Sequence, residues 1–523
     1  MKFIKHTGLV LFLAALSVFT GVLFLGKFNL STQEAQELIS NKGIKSEFFI
    51  NKLNTEVVNQ DLSAFTLTNT ITNLIKESNT YSKENQLWDE VIWGKEYYTA
   101  YDFVKKAGNE VVINNQSLLW WLTFGLGILG ALLFILPDLK LLGQAGIKND
   151  KIYQSASTNR GWIAWLVFGY LVTFYLALYF FPGYVVNWTY ILDPISQALN
   201  GGLASQWFVY GFLYCVIMLV MATRMYIKYR HNQYQIVRTT SVLFFQIVFA
   251  FLIPEIMTSL GKPGYDFKNA FPLDYDFFFE WNIKYLMQSG GIGLFILVWG
   301  IVLTLVIVPV MVYFFGKRWY CSWVCGCGGL AETLGDPYRQ HSNKTLKAWQ
   351  LERWLIHSVL VFSLVMTLVV LYCYFTGAQD LLGIKAEWIK DTYSFLIGAW
   401  FAGVIGTGFY PIFGNRVWCR FGCPLAAYLG LVQRFKSRFR ITTNGGQCIS
   451  CGNCSTYCEQ GIDVRAYAQK GENIVRASCV GCGVCSAVCP RGVLKLENGP
   501  ENGRINPQDI LLGNDIDLMN YTK

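Results

Sequence analysis

The stretch Cys448-Ile-Ser-Cys451-Gly-Asn-Cys454-Ser-Thr-Tyr-Cys458 is followed, after twenty residues, by Cys479-Val-Gly-Cys482-Gly-Val-Cys485-Ser-Ala-Val-Cys489-Pro490. Both runs carry the spacing C-x2-C-x2-C-x3-C. The first three thiols of such a run sit on one loop, and the fourth falls on the helical turn that follows. A zinc ribbon needs one or two C-x2-C pairs per site, and a disulfide framework belongs to small secreted domains. Neither calls for two four-cysteine runs that each end in C-x3-C. Small residues between the thiols (Gly452, Ser455, Gly481, Gly483, Ser486) let backbone N–H groups approach sulfur.

This spacing is that of iron–sulfur ligation in bacterial two-cluster ferredoxins, where the fourth cysteine of each run serves the other cluster. It predicts one [4Fe–4S] cluster on Cys448, Cys451, Cys454 and Cys489. A second falls on Cys479, Cys482, Cys485 and Cys458, within a ferredoxin-like α+β module over 441–495. Glu459 stands where the first run would usually carry proline, and Pro490 keeps that place in the second run. The change is read as touching the turn after Cys458, not a ligand.

Outward from the module the chain is apolar. It is 53% hydrophobic and only 15% charged, with 17 Trp, 29 Tyr and 38 Phe, the balance of a polytopic α-helical membrane protein. Lys2, Lys5 and His6 precede an apolar run from Leu9 to Leu25 that lacks a small-residue cleavage site, so 1–27 reads as an uncleaved signal anchor. Residues 28–116 are polar and helical in pattern, opened by the capping box Ser31-x-x-Glu34, and are expected as a small domain on the outer face. Seven further apolar stretches lie near 117–137, 161–182, 207–226, 240–260, 290–315, 354–376 and 394–413. Each is about 20 residues, enough to cross a ~30 Å hydrocarbon core. The expected fold is therefore about eight spans, in the regions 117–289 and 290–440, with the module and a polar tail (496–523) behind them.

The basic residues behind the net charge of +9 gather in alternate loops. One set holds Lys140, Lys148, Lys151 and Arg160, then Lys228, Arg230 and Arg238, then Lys317, Arg318, Arg339, Lys344 and Lys347, then Arg416 to Arg440. The other set holds Lys262, Lys268, Lys284, Lys385 and Lys390. By the positive-inside rule both termini are cytoplasmic, in a bacterial inner membrane, and the module faces a compartment that keeps thiols reduced. Charge placed between spans points to membrane orientation and to no nucleic-acid partner.

A second pattern is duplicated. Arg318-Trp-Tyr-Cys321-Ser-Trp-Val-Cys325-Gly-Cys327 follows one span, and Arg416-Val-Trp-Cys419-Arg-Phe-Gly-Cys423-Pro424 follows another. Both read R-x-x-C-x-x-x-C, with cysteines on one face if helical. Four thiols from two such halves can close one S4 site, and Arg318, Arg416 and Arg420 favour thiolates. The expectation is a third Fe–S centre or redox-active thiol set at Cys321, Cys325, Cys419 and Cys423, with Cys327 as a spare ligand. Cys215 and Cys373, inside apolar spans, read as packing residues.

The duplicated motif followed by a two-cluster module resembles the membrane polyferredoxins of the NapH, NosR and CcoG (RdxA/FixG) group, over roughly 290–495. Gly461-Ile462-Asp463-Val464-Arg465 is also similar to that group. Gly326 departs from the proline of the group's C-x-x-x-C-P motif, and Cys327 is an addition. The resemblance implies electron transfer between the quinone pool and a partner redox protein or reductase complex, in the manner of a quinol-linked oxidoreductase subunit. The alternative it implies is metal-centre assembly, with rim thiolates reducing or handing over a soft metal such as copper.

A quinol site needs an apolar slot and a proton acceptor, and ionisable groups within spans are the candidates. They are His357, near the inner rim, and Glu255, after Pro254 in the outer half of its span. Two facing histidines deep in a span are not present for haem b. No C-x-x-C-H and no flavin or nucleotide fingerprint is seen, so neither haem nor flavin is expected.

Overall fold

The computed structural model describes residues 2–141, 145–146, 150, 152–378, 380–381 and 383–498. The expected tail from 499 onward, and the loop residues Lys148 and Lys151, lie outside them. Two compact units are formed, one of Met1–Asp138 with Thr173–Val216, the other of Leu139–Val172 with Ile217–Lys523.

Among the described residues, seven helices are long and apolar enough to cross a membrane: Lys2–Phe24, Gln116–Leu139, Trp162–Phe180, Gln206–Lys228, Gln233–Ser259, Gly291–Phe315 and Leu346–Thr376. The span expected near 394–413 differs. It is built from helical pieces Ala386–Tyr393, Ser394–Ile405 and Gly406–Gly408, and a turn before Tyr410–Phe413. Glycines at 398, 403, 406 and 408 dilute its apolarity and admit close packing. A Cβ on Gly398 would lie 2.6 Å from the Tyr275 ring.

In the first unit, the predicted capping box is present. Ser31 accepts from the Glu34 N–H, and the Glu34 carboxylate accepts from the Ser31 N–H. Thr32–Lys42, Glu47–Glu56, Ala64–Glu84 and Glu96–Ala107 then close on their own apolar core, in which Phe49, Leu53, Ile71, Ile75, Phe103 and Val104 are fully buried.

In the second unit, two features depart from the expected loops. The Leu346–Thr376 helix starts eight residues before the apolar stretch, capped by Thr345, whose hydroxyl accepts from the Ala348 N–H. Its polar first turns escape a hydropathy reading, so His357, three residues into the apolar stretch, lies about three turns into the helix. The segment after Ser259 does not stay at the mouth of its spans. Trp299 donates to the Phe267 carbonyl (2.8 Å) and Tyr320 to the Lys268 carbonyl (2.8 Å). Trp299 sits about 12 Å along the Gly291–Phe315 helix, so this irregular segment runs the length of that helix, as is tolerated where protein covers the backbone. Lys268, 8% exposed and paired with Asp266, is therefore not a solvent-facing marker of orientation.

The C-terminal module is closed by Arg440–Thr443 pairing antiparallel with Leu494–Glu497, in the register Ile441↔Leu496. The strands bracket both cysteine runs. Side chains from the helices hold the second run by its backbone. Tyr234 donates to the Gly481 carbonyl (2.8 Å), Gln235 to Cys482 (2.8 Å), Gln433 to Cys479 (2.9 Å) and Ser322 to Val480 (2.8 Å). Gly483 sits in this seam at φ +74°, and a Cβ there would lie 2.7 Å from Tyr234 Cε1 and 3.0 Å from Gln235 Nε2. Gly483→Ala is expected to cost about 1–3 kcal/mol through overpacking at a left-handed position, read as a lowered midpoint in thermal unfolding.

Candidate metal centre

Within the module the two runs fold alike. Gly452 (φ +78°) and Gly483 (φ +74°) each precede a one-turn helix, Asn453–Thr456 and Val484–Ala487, which carries the third thiol and leads to the fourth. The fourth cysteines change places. The Cys454 thiol lies within electrostatic reach of Cys489, Cys451 and Cys448, and the Cys485 thiol of Cys482, Cys479 and Cys458 and, more weakly, of Cys454 in the other set. Cys458, Cys479, Cys482 and Cys485 line one small cavity.

None of these thiols is in a disulfide, and backbone N–H groups are turned toward sulfur, as from Ile462 to Cys458 Sγ (3.4 Å). Burial pushes Cys454 up to about 12 and Cys479 up to about 11. As bare thiols they are protonated at neutral pH, and a bound metal is what holds such sulfurs as thiolates. The donor sets fit 4Fe–4S cubanes. Cys451 is exposed, whereas Cys479 and Cys485 are buried.

The duplicated motif also folds twice in one way. The Tyr320 carbonyl accepts from the N–H groups of Val324 and Cys325, and the Trp418 carbonyl from those of Gly422 and Cys423. Cys325 and Cys423 then cap the helices Gly326–Glu332 and Pro424–Lys436, and Cys423 Sγ accepts from the Ala426 N–H (3.3 Å). All four thiols are buried in one apolar cluster. Cys423 is within electrostatic reach of Cys419, Cys325 and Cys321, and Cys327 of Cys325, Cys419 and Cys423.

Between the two thiol sets lies a buried ion network absent from the sequence reading. Glu459 is 1% exposed and accepts from Arg339 Nη1 (2.6 Å), Arg416 Nε (3.0 Å) and Asn415 (3.0 Å). Glu332 accepts from Arg416 Nη2 (2.7 Å) and Arg339 Nη2 (2.5 Å) and pairs with Arg238. Asp336 takes Arg339 Nε (2.8 Å), Lys228 (2.8 Å) and Arg224. Burial works against ionised Asp336, but Lys228, Arg224 and Arg339 outweigh it and hold the carboxyl well below the usual range. The network touches sulfur at both ends. Arg416 Nη1 stands 3.6 Å from Cys419 Sγ, and Arg339 Nη1 stands 4.0 Å from Cys482 Sγ.

Glu459 therefore does more than shape a turn. Arg339, Arg416 and Arg420, assigned by sequence to the basic loop excess, are internal ion-pair partners. Their buried positions remove them as markers of orientation. The legible signal was the acidic pair Glu332 and Asp336 placed seven and three residues before Arg339.

A second cavity, of about 270 Å³, is lined by both Cys419 and His357. His357 Nδ1 donates to the Arg353 carbonyl (2.6 Å), which leaves Nε2 as the acceptor of the neutral ring. Glu255 lies on Ile253–Ser259 and is not part of this cavity.

The 4Fe-4S binding domain family matches residues 296–345 and 396–442, the two halves that carry R-x-x-C-x-x-x-C. The 4Fe-4S dicluster domain family matches 440–490. The chain thus carries regions of both 4Fe–4S families. It is similar to YccM of Escherichia coli (strain K12), whose name marks it as a candidate electron transport protein. The two are 26% identical over 196 residues, 35% of this chain and 52% of the relative. It is also 28% identical over 161 residues to the methylamine utilization ferredoxin-type protein MauN of Methylobacillus flagellatus, 30% of this chain and 53% of that one. The chain thus spans about half the length of these curated relatives. No solved structure matches it.

Proposed function

We propose that the chain carries electrons between the membrane quinone pool and a redox partner protein or reductase complex. In this reading Cys448, Cys451, Cys454 and Cys489 hold one [4Fe–4S] cluster, and Cys458, Cys479, Cys482 and Cys485 hold a second. Cys321, Cys325, Cys419 and Cys423 form a third Fe–S centre or redox thiol set. Such clusters supply one-electron chemistry whose potential the surrounding charge, hydrogen bonds and burial set. Both termini are cytoplasmic, in a bacterial inner membrane.

The observation that carries the reading is a graded series of thiol sets. Cys451 is exposed for a soluble partner, Cys479 and Cys485 are buried behind it, and Cys419 is buried beside the His357 cavity. Arg339 and Arg416 bridge the inner two sets. His357 Nε2 accepts the proton of a quinol hydroxyl, with Ile356 and Leu431 of the cavity beside it for the quinone ring. Glu255, outside the cavity, has no part in this step.

Dithionite-reduced protein, purified anaerobically and freed of excess reductant, is expected to be reoxidised by a menaquinone analogue, followed by cluster absorbance and EPR. Reoxidation runs this step in reverse, the protonated ring returning the proton to the reduced quinone, and His357→Leu is expected to slow it about a hundred-fold, the low end of general acid–base effects. If intact clusters respond to ferricyanide but not to quinone, the quinone is removed from the path. A metal-handover role then takes the lead. That second reading is favoured by one observation, the fifth thiol Cys327 beside Cys325, a dense soft-ligand set. Loss of a partner's metal centre in Cys321→Ser/Cys325→Ser, with quinol turnover intact, supports it.

A further inference from the structure

The cavity shared by His357 and Cys419 carries more positive charge than a neutral quinone ring calls for. Lys317, Arg353, Arg420, Arg434 and Arg476 line it, against a single carboxylate, Glu352. That carboxylate is already taken by Arg420 Nε at 2.6 Å. The excess is solvated poorly at its inner end, where Lys317 is 2% exposed and Arg420 is 3% exposed.

The inner end is also rich in unmade hydrogen bonds. Arg420 is held rigidly, by Glu352 through Nε and by the Asn343 carbonyl through Nη1 (2.7 Å), yet its Nη2 has no partner. Gln460, 3% exposed, lines the same cavity with both its amide nitrogen and its amide oxygen unpaired. A buried donor left unpaired loses its water hydrogen bonds with nothing in return, the more so when charged, so such a cluster asks for an occupant. The occupant must offer several acceptor oxygens, one O–H for the Gln460 amide oxygen, and negative charge. A neutral ring carbonyl satisfies one donor and none of the charge.

We propose that the inner end of this cavity is an anion site that takes a phosphate group, held by Arg420 Nη2, the Gln460 amide and Lys317. Arg434 and Arg476 supply the outer charge. Guanidinium forks and an amide are suited to phosphate oxygens. Arg476 and Arg353 both lie over the Trp349 ring, at 4.8 and 5.1 Å, which fixes their stems and leaves their edges for an oxyanion. Ile356, Leu431 and Val475 form an apolar wall beside these cations, so the phosphate has two chemical sources. One is the headgroup of an anionic lipid at the membrane rim, where basic pockets between helices take such headgroups. The other is a free phosphate or phosphate ester. The proposal needs no electron transfer and stands apart from the quinone reading.

The test is a binding titration of the full chain, purified anaerobically in neutral detergent and carrying its clusters. The probes are inorganic phosphate, short-chain phosphatidylglycerol and short-chain phosphatidylcholine, followed by calorimetry. One-to-one binding of phosphatidylglycerol at least ten-fold tighter than phosphatidylcholine, weakened by salt, is expected. Binding of phosphatidylglycerol alone assigns a lipid headgroup, and binding of phosphate as well assigns a free phosphate source. Arg434→Gln/Arg476→Gln and, separately, Gln460→Leu should each weaken binding ten-fold or more. Both leave the Arg420–Glu352 pair in place, and circular dichroism with cluster absorbance reports whether each has folded. Equal binding of the two lipids, no binding of any probe, or unchanged affinity in the folded variants overturns the proposal. Quinone reoxidation measured on the same preparation reports on the electron-transfer reading independently.

Discussion

Cys458→Ser is expected to remove the cluster of the second cysteine run while sparing that of the first. Sequence adjacency argues the other way, since Cys458 stands four residues after Cys454. The fold reverses this, because the turn at the end of the first run carries Cys458 over to the cavity lined by Cys479, Cys482 and Cys485. Conversely, Cys489→Ser should empty the set of Cys448, Cys451 and Cys454, which lie within electrostatic reach of one another and of Cys489. The two losses differ in consequence. Cys479 and Cys485 of the second set are buried, next to the side chains that grip Gly481 and Cys482. Losing its cluster leaves buried thiols around an unfilled cavity and should loosen the seam. The first set includes the exposed Cys451, and its loss should leave the rest of the unit folded. Iron analysis and EPR of the two variants decide the matter. Each should lose the iron of one cubane, with different residual signals and a lower unfolding temperature for Cys458→Ser than for Cys489→Ser. Cys458→Ser should share its residual signal with Cys482→Ser, and Cys489→Ser with Cys451→Ser; the opposite pairing would show that the fourth cysteines do not cross.

The cysteine spacing made most of this site legible, because cluster ligation is a local geometric code read in runs of a dozen residues. The apolar spans were legible for the same reason, as a length criterion against the bilayer. What stayed hidden depends on three-dimensional pairing. Arg339 in a sequence is a loop charge; in the fold it is wholly buried and shared by Glu332, Asp336 and Glu459. Lys268 looks like a surface residue of an outer loop, yet its backbone reaches Tyr320. The early start of the Leu346–Thr376 helix was hidden by its polar first turns, which carry Glu352 and Arg353 to the cavity. Traces were left only by Glu459, out of place in an otherwise regular motif, and by the spacing of Glu332 and Asp336 before Arg339.

Glu332→Gln is expected to cost about 3–5 kcal/mol of stability, the range for breaking a buried pair by removing one partner. Glu332 is 2% exposed and serves three arginines, of which Arg238 is 1% exposed and has its ion pair with this carboxylate. The isosteric amide keeps the shape and leaves Arg238, Arg339 and Arg416 with less negative charge than they were buried with. A surface pair sets the scale for comparison. Lys52 and Glu77, at 2.7 Å on the surface, should lose little on truncation, because solvent screens an exposed pair. Burial opposes the charged form of Glu332, but Arg238, Arg339 and Arg416 outweigh it and depress its carboxyl well below the ordinary range. A depressed folded value means that the stabilisation is complete above the ordinary carboxyl range and is lost only as pH falls through the depressed value. The variant should therefore be destabilised throughout the neutral range, with no pH at which wild type and Glu332→Gln coincide until strong acid. Thermal unfolding of the cluster-loaded protein measures the cost. The decisive companion is Glu332→Leu/Arg238→Leu, which removes charge from both sides and, by the same balance of desolvation against attraction, should recover much of the loss. If Glu332→Gln costs under about 1 kcal/mol, comparable to an exposed pair, the network is not what holds the two thiol sets together. The carbonyl grips on Cys479 and Cys482 would then have to carry that role.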